Sequence, residues 1–234
     1  MYETKDIKPP ALVIKNATFI TSASRAEPFI KPDKPMIAVC GKSNVGKSSF
    51  INMLANQKKL AKTSSEPGRT RLVNYFDFGE FILADLPGYG FAKVSKMEKA
   101  KWAQTLDKFF AQKENIAHVF MLVDSRHDPT EDDVQMMQFL HYHTLPFSVT
   151  LTKADKLSRM KLKEHIKAIA SDLYLGVENL LATSAETGYG KNDVLAKIKS
   201  VIELSKEEAY VDEDDEDEAE DANDAAEQAE EVSK

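Results

Sequence analysis

Lys47 and Ser48 close the run GKSNVGKS at 41–48, in which Gly41, Gly46, Lys47 and Ser48 have the spacing of a phosphate-gripping loop. Gly41 and Gly46 allow a backbone tight enough to aim amide N–H groups at an anion. Lys47 can then reach the β- and γ-phosphates of a nucleotide, and the Ser48 hydroxyl can meet Mg²⁺. Lys42, Ser43, Asn44, Val45 and Ser49 complete the cradle. A strand-like run, MIAVC at 36–40, precedes the loop and a helical stretch follows it, which is the context this chemistry needs. A chance match in a chain of this length is about a 1% event, so a merely Gly-rich turn is the weaker alternative.

Two further strand ends carry complementary chemistry. In FILADLPG at 81–88, Asp85 can hold Mg²⁺ directly or through water, and the Gly88 N–H can contact a γ-phosphate and register its loss; Leu86 and Pro87 lie between them. Taken alone, Asp-x-x-Gly describes a turn. In TLTKAD at 150–155, Asp155 can accept from N1–H and the exocyclic amine of guanine, a pattern adenine does not present, while the Lys153 stem covers the purine ring. Thr152 and Ala154 flank that lysine, and Asp155 standing alone could equally cap a helix. A last strand end, ATSAETG at 182–188, places Thr183, Ser184 and the Ala185 N–H where they can meet the same base. Phosphates, Mg²⁺ and guanine together point to GTP binding and hydrolysis, with Lys47, Asp85 and Gly88 at the reacting end. Tyr89 follows Asp-x-x-Gly where many switch proteins place a water-orienting Gln, so slow intrinsic hydrolysis is expected.

Short apolar runs alternate with amphipathic stretches along the chain. Strands are expected at 36–40, near 72–78 and 81–85, and at 118–124, 146–152 and 179–184. Helices are expected from Lys47 to about Leu54, near 97–112, 131–142 and 158–173, and from about 191 to 206. The alternation predicts an α/β fold of three layers, the P-loop NTPase arrangement: a mostly parallel sheet with helices on both faces. LVNYFDF and FILAD, separated by Gly79 and Glu80, predict a hairpin and hence one antiparallel edge strand. Residues 1–35 read as an N-terminal extension with an edge strand at Ala17 to Ala23, 36–208 as the nucleotide-binding domain, and 209–234 as an acidic tail.

The formal charge of −7 has two parts of opposite sign. From Val211 onward the chain holds 13 of its 38 acidic residues and one of its 31 basic ones, leaving a body of about +5. That sign is compatible with an RNA partner. The tail, without an aromatic residue, is expected to be disordered; it either raises solubility or competes with RNA for the body's lysines. Lys58, Lys59, Lys62, Arg69 and Arg71 flank the first expected switch, and Lys93, Lys96, Lys99 and Lys101 follow the second. They form either a grip on RNA phosphates or an ordinary solvated face. No apolar run approaches the ~20 residues of a membrane span, so a cytoplasmic protein without membrane attachment is expected. Cys40, the only cysteine, excludes an intrachain disulfide and a cysteine-based zinc site, and reads as a buried strand residue. His141 and His143 lack a partner at ligand spacing.

In their order and wording, GKSNVGKSSFIN, EPGRTR, ADLPGYGFAKVS, LVDSRHDPTEDD, LTKADKLSR and TSAETGYG resemble the EngB family of ribosome-assembly GTPases, in the translation-factor class. The likeness covers about residues 10 to 205 and excludes the acidic tail. The resemblance implies a GTP/GDP switch with Mg²⁺ that acts on the precursor of the large (50S) ribosomal subunit and its rRNA, with no role for DNA and as a monomer. It also implies that Gly68, Arg69 and Thr70 supply the effector threonine, with Ser48 and Thr70 as metal ligands. Asn44 resembles the asparagine with which related GTPases hold K⁺; an ordinary turn residue is the alternative. Thr152 stands where the usual base motif has Asn, which leaves its contribution open. A GTPase acting on a protein effector, in signalling or cell-division control, is the rival function.

Overall fold

The structure is a computed structural model that describes residues 12–23, 29–62, 72–90 and 96–207 of the 234. Among the described residues, seven strands form one sheet: β1 (Thr18–Ala23), β2 (Met36–Gly41), β3 (Val73–Asp77), β4 (Ile82–Asp85), β5 (Ile116–Asp124), β6 (Phe147–Thr152) and β7 (Leu180–Ala182). Their order across the sheet is β1-β3-β4-β2-β5-β6-β7. Helices α1 (Lys47–Ala55), α2 (Lys96–Phe110), α3 (Glu131–Tyr142), α4 (Arg159–Asp172) and α5 (residues 191–207) connect or follow them.

β2 is buried at every position and lies between β4 and β5, pairing in parallel with both. Side chains alternate across a strand, so Met36, Ala38 and Cys40 enter one core while Ile37 and Val39 enter the other. The first core is covered by Leu106, Phe109 and Phe110 of α2, Met136 and Leu140 of α3, and Ile169 of α4. The second is covered by Phe50, Ile51 and Leu54 of α1 and by Val194, Ile198 and Ile202 of α5. This two-sided burial explains the continuous apolar runs of β2 and β5, which a sheet with one wet face would interrupt. Cys40 is buried as expected, and burial pushes its thiol up to about 12.

β3 and β4 form the expected hairpin, with Phe78 N–H donating to the Phe81 carbonyl across the turn. The antiparallel pairing falls on this edge of the sheet, as expected, with β1 rather than β3 as the outermost strand. β1 pairs antiparallel on the outer side of β3, with a register irregularity between Phe19 and Thr21. Leu12, Ile14 and Ala17, just before β1, are buried in the α1 and α5 core, so this part of the chain ahead of Met36 packs with the sheet. Among the described residues no helix is long and apolar enough to cross a membrane.

β2 leads through α1 to β3 and β4 on one side, whereas β4 leads through α2 to β5 on the other. The strand order therefore reverses beside β2. At such a point the loops leaving adjacent parallel strands part, and a crevice opens at their carboxyl ends. Gly41, Asp85, Asp124, Thr152 and Ala182 are the last residues of β2, β4, β5, β6 and β7, all at that end of the sheet.

Candidate functional site

The loop from Gly41 to Gly46 leaves β2 and turns directly into α1. Gly46 stands at the helix N-cap with φ +115, a backbone region that side chains oppose, and no side chain caps the helix. The first turn, Lys47, Ser48 and Ser49, thus presents a helix N-terminus that no side chain among the described residues caps, the electrostatic setting an anion requires. Asn44 has φ +64, so its backbone suits the turn-residue reading. Ser48 Oγ donates to the Lys62 carbonyl at 3.1 Å, which spends its proton and leaves its lone pairs for a cation.

Asp85 ends β4 opposite Val39 of β2, and Leu86 N–H donates to the Val39 carbonyl at 3.0 Å, turning the chain toward the loop. Burial raises the Asp85 carboxyl above its ordinary range, opposed by the charge of Lys47 and a hydrogen bond from Asn74. Asn74 is the cross-strand partner of Asp85 in β3, and its Oδ1 accepts from Ser22 Oγ of β1 at 2.7 Å. Among the described residues, Asp85 Oδ1 is buried without a hydrogen-bond partner. A carboxylate oxygen without a partner, at the end of a strand next to the one that leads into Ser48, is the donor type a hard, water-carrying cation such as Mg²⁺ takes. Gly88 lies against the loop: a Cβ there would come within 3.0 Å of both Lys47 Nζ and Ser43 Oγ. Gly68, Arg69 and Thr70 lie outside the described residues, as do Arg71, Lys93 and the acidic tail.

The base motif is tied to the phosphate loop. Thr152 Oγ1 donates to the Val45 carbonyl at 2.7 Å and so joins β6 to the loop. Lys153, at φ +59, sends Nζ to the Asn44 carbonyl at 2.9 Å and to Asp124 Oδ2 at 2.8 Å. Asp124 also binds Arg126, with Nε at 2.9 Å and the terminal nitrogen at 2.7 Å. Burial would raise the Asp124 carboxyl, but hydrogen bonds from Arg126 and Lys153 hold it well below the usual carboxylate range. Ala154 N–H donates to the Thr183 carbonyl and Thr183 N–H to the Leu151 carbonyl, so the last two strand ends are stitched together. Ser184 Oγ donates to Asp155 Oδ1 at 2.6 Å, and Lys156 meets Asp155 Oδ2 at 2.9 Å. Those two bonds, that of Lys156 foremost, lower the Asp155 carboxyl and keep it an acceptor. The Ser184 hydroxyl is therefore engaged by Asp155, with Ala185 next to it in the chain.

Apart from the segment at 63–71, the expected residues converge on one crevice. Asn74 and Asp124 were not among them. Asp124 did carry a signal, an acidic residue ending the apolar run of β5, the same mark that singled out Asp85. Asn74 carried none, because its role arises only when β3 pairs with β4.

A doubly wound sheet with a Gly-Lys-Ser phosphate loop at its reversal point and a Lys-x-Asp motif after β6 defines a P-loop GTPase. The family model of 50S ribosome-binding GTPases matches residues 36–153. The chain is 47% identical over 194 residues to "Probable GTP-binding protein EngB" of Pelotomaculum thermopropionicum, covering 82% of this chain and 98% of that one. It is 43% identical to the protein of that name from Geobacillus kaustophilus, over 79% of this chain and 96% of the other. This chain belongs to the EngB family of GTPases. A crystal structure of a probable GTP-binding protein EngB superposes with a TM-score of 0.61 at 24% identity, over 72% of this chain and 99% of that one. Era, in complex with MgGDPNP and nucleotides 1506–1542 of 16S ribosomal RNA, superposes with a TM-score of 0.57 at 21% identity, over 72% and 56%. These structural likenesses concern the fold.

Proposed function

We propose that this GTPase is a cytoplasmic switch in assembly of the large ribosomal subunit, binding the precursor particle and its rRNA in the GTP state and leaving after hydrolysis. The observation that carries the nucleotide part is the convergence of three strand ends, with Thr152 and Lys153 both bonded to the phosphate loop. Residues 41–49 cradle the phosphates, Lys47 counters the charge on the β- and γ-phosphates, and Gly88 N–H donates to the γ-phosphate. Thr152 to Asp155 and Thr183 to Ala185 form the guanine pocket, in which the lowered Asp155 accepts from the base. Ser48, Thr70 and, through water, Asp85 would hold Mg²⁺, which when bound neutralises charge developing on the transferred phosphoryl group. Gly68 and Arg69 carry Thr70 to the γ-phosphate. Tyr89 cannot orient the attacking water, so turnover is slow until a particle or a K⁺ ion near Asn44 assists it.

The ribosomal part is supported by the match to the model of 50S ribosome-binding GTPases and by the basic residues that flank both expected switches in the sequence. The test is GTPase activity with and without 50S particles in K⁺ and in Na⁺, together with co-sedimentation in GTP analogue against GDP. Stimulated turnover and analogue-dependent sedimentation are expected. Equal sedimentation in both nucleotide states would refute the switch, and equal rates in the two salts would refute the K⁺ site.

A further inference from the structure

Tyr89 stands where a water-orienting side chain is usual, but its ring is turned away from the crevice. It is 3% exposed, lies edge-on to Trp102 at a centroid distance of 5.9 Å, and donates its hydroxyl to Asp133 Oδ1 at 2.8 Å. Asp133 is itself buried, in the first turn of α3. Its second oxygen accepts from Thr130 N at 2.9 Å and Thr130 Oγ1 at 2.7 Å, closing a capping box. The acceptor for Tyr89 is therefore held on a rigid helix end. Burial foremost keeps the phenol well above its ordinary value, so it stays a donor.

The backbone of the same residue faces the phosphate loop. Its carbonyl accepts from Ser43 N at 2.9 Å and Ser43 Oγ at 3.1 Å, and its N–H donates to the Gly41 carbonyl at 3.4 Å. Two residues earlier, the Pro87 carbonyl accepts from Trp102 Nε1 at 3.1 Å. Gly88 lies between these anchors, its Cα turned toward Lys47 and Ser43.

We propose that Tyr89, through Asp133, and Trp102, through Pro87, are positioning residues that hold Gly88 docked beside Lys47, ready for a third phosphate. The proposal rests on the reading that Gly88 contacts the γ-phosphate. A turn docked only part of the time would lower the apparent GTP affinity by the docked fraction, whereas GDP, having no γ-phosphate, would not sense it. Removing the hydroxyl leaves a buried carboxyl oxygen unpaired and frees the turn on its α3 side.

The test compares affinities for the non-hydrolysable analogue GMPPNP and for GDP, both with Mg²⁺, by calorimetry. Tyr89→Phe keeps the ring against Trp102, and analogue affinity should fall about ten-fold while GDP affinity stays within about two-fold. Trp102→Phe should shift the ratio the same way by about three-fold, without touching α3. Equal losses for both nucleotides would show a merely structural role and overturn the proposal. Gly88→Ala separates the underlying reading: it should lower the analogue-to-GDP affinity ratio in an otherwise unchanged chain. If it does not, the γ-phosphate reading fails; if it does and Tyr89→Phe leaves the ratio unchanged, the positioning role alone fails.

Discussion

Asp124→Asn should weaken GTP and GDP together by about 5- to 30-fold. Asp124 Oδ2 receives Lys153 Nζ at 2.8 Å, and the lysine's second bond, 2.9 Å to the Asn44 carbonyl, fixes its stem between β5 and the phosphate loop. A charge-assisted hydrogen bond contributes about 1.5–3 kcal/mol when well shielded. Here the lysine side chain is 30% exposed and the aspartate 17%, so solvent screening reduces the bond to about 1 kcal/mol. Freeing the lysine adds up to about 1 kcal/mol of rotamer entropy that binding must recover. The total, about 1–2 kcal/mol, corresponds to the stated range. The loss should be common to both nucleotides because the lysine serves the base end. Calorimetric titration with GDP and GMPPNP, beside a thermal melt, measures it. Arg126→Ala is the control: that partner is an exposed ion pair and should change affinity by less than about three-fold. GDP affinity within two-fold of the parent for Asp124→Asn would refute the account of Lys153.

Lys47→Ala should reduce GTP affinity by about 100-fold, since it removes the lysine that the loop aims at the phosphates, and calorimetric affinity within a few-fold of the parent would displace the site. Asp155→Asn should weaken guanine nucleotides and admit xanthine nucleotides, whose C2 carbonyl finds the new amide donor; an unchanged guanine preference in a competition assay would move the base pocket elsewhere. His118, hydrogen-bonded to Ser148 Oγ at 3.0 Å, is lowered to about 3 by burial, with Lys197 adding to the shift. Its folded value lies below the unfolded one, so only the unfolded chain takes up the proton as pH falls from about 6.5 toward 3, and stability drops by up to about 1.4 kcal/mol per unit across that window. Urea unfolding at pH 7 and pH 5 should show this dependence in the parent and a flatter one in His118→Gln; identical slopes would contradict it.

The chemistry of the phosphate loop was readable because it is local. Gly41 to Ser48 carry their own turn geometry and open their own helix, so eight consecutive residues describe both the conformation and the ligand it suits. The same holds for β2 and β5, whose unbroken apolar runs report burial on both faces, and for the β3–β4 hairpin, whose two-residue connection leaves the chain little choice. Convergence of the base motif with this loop was inferred from strand-end position alone, and it followed from every parallel strand ending on the same side.

What the tertiary structure decided is which distant groups meet. Thr152 reaches Val45 across 107 residues and Lys153 reaches Asn44 across 109, contacts that exist because β5 alone separates β6 from β2. Asn74 supports Asp85 only because β3 runs antiparallel to β4, and Ser22 supports Asn74 only because β1 takes the outer edge instead of leaving β3 there. Tyr89 looked like an absent catalytic group in the sequence; α3 packs close enough to bury its hydroxyl on Asp133. Local sequence encodes backbone conformation and the identity of each functional group, since both depend on neighbours within a few residues. The hydrogen-bond partner of each group depends on strand order and helix packing, which are set by the burial of the whole chain around its two cores.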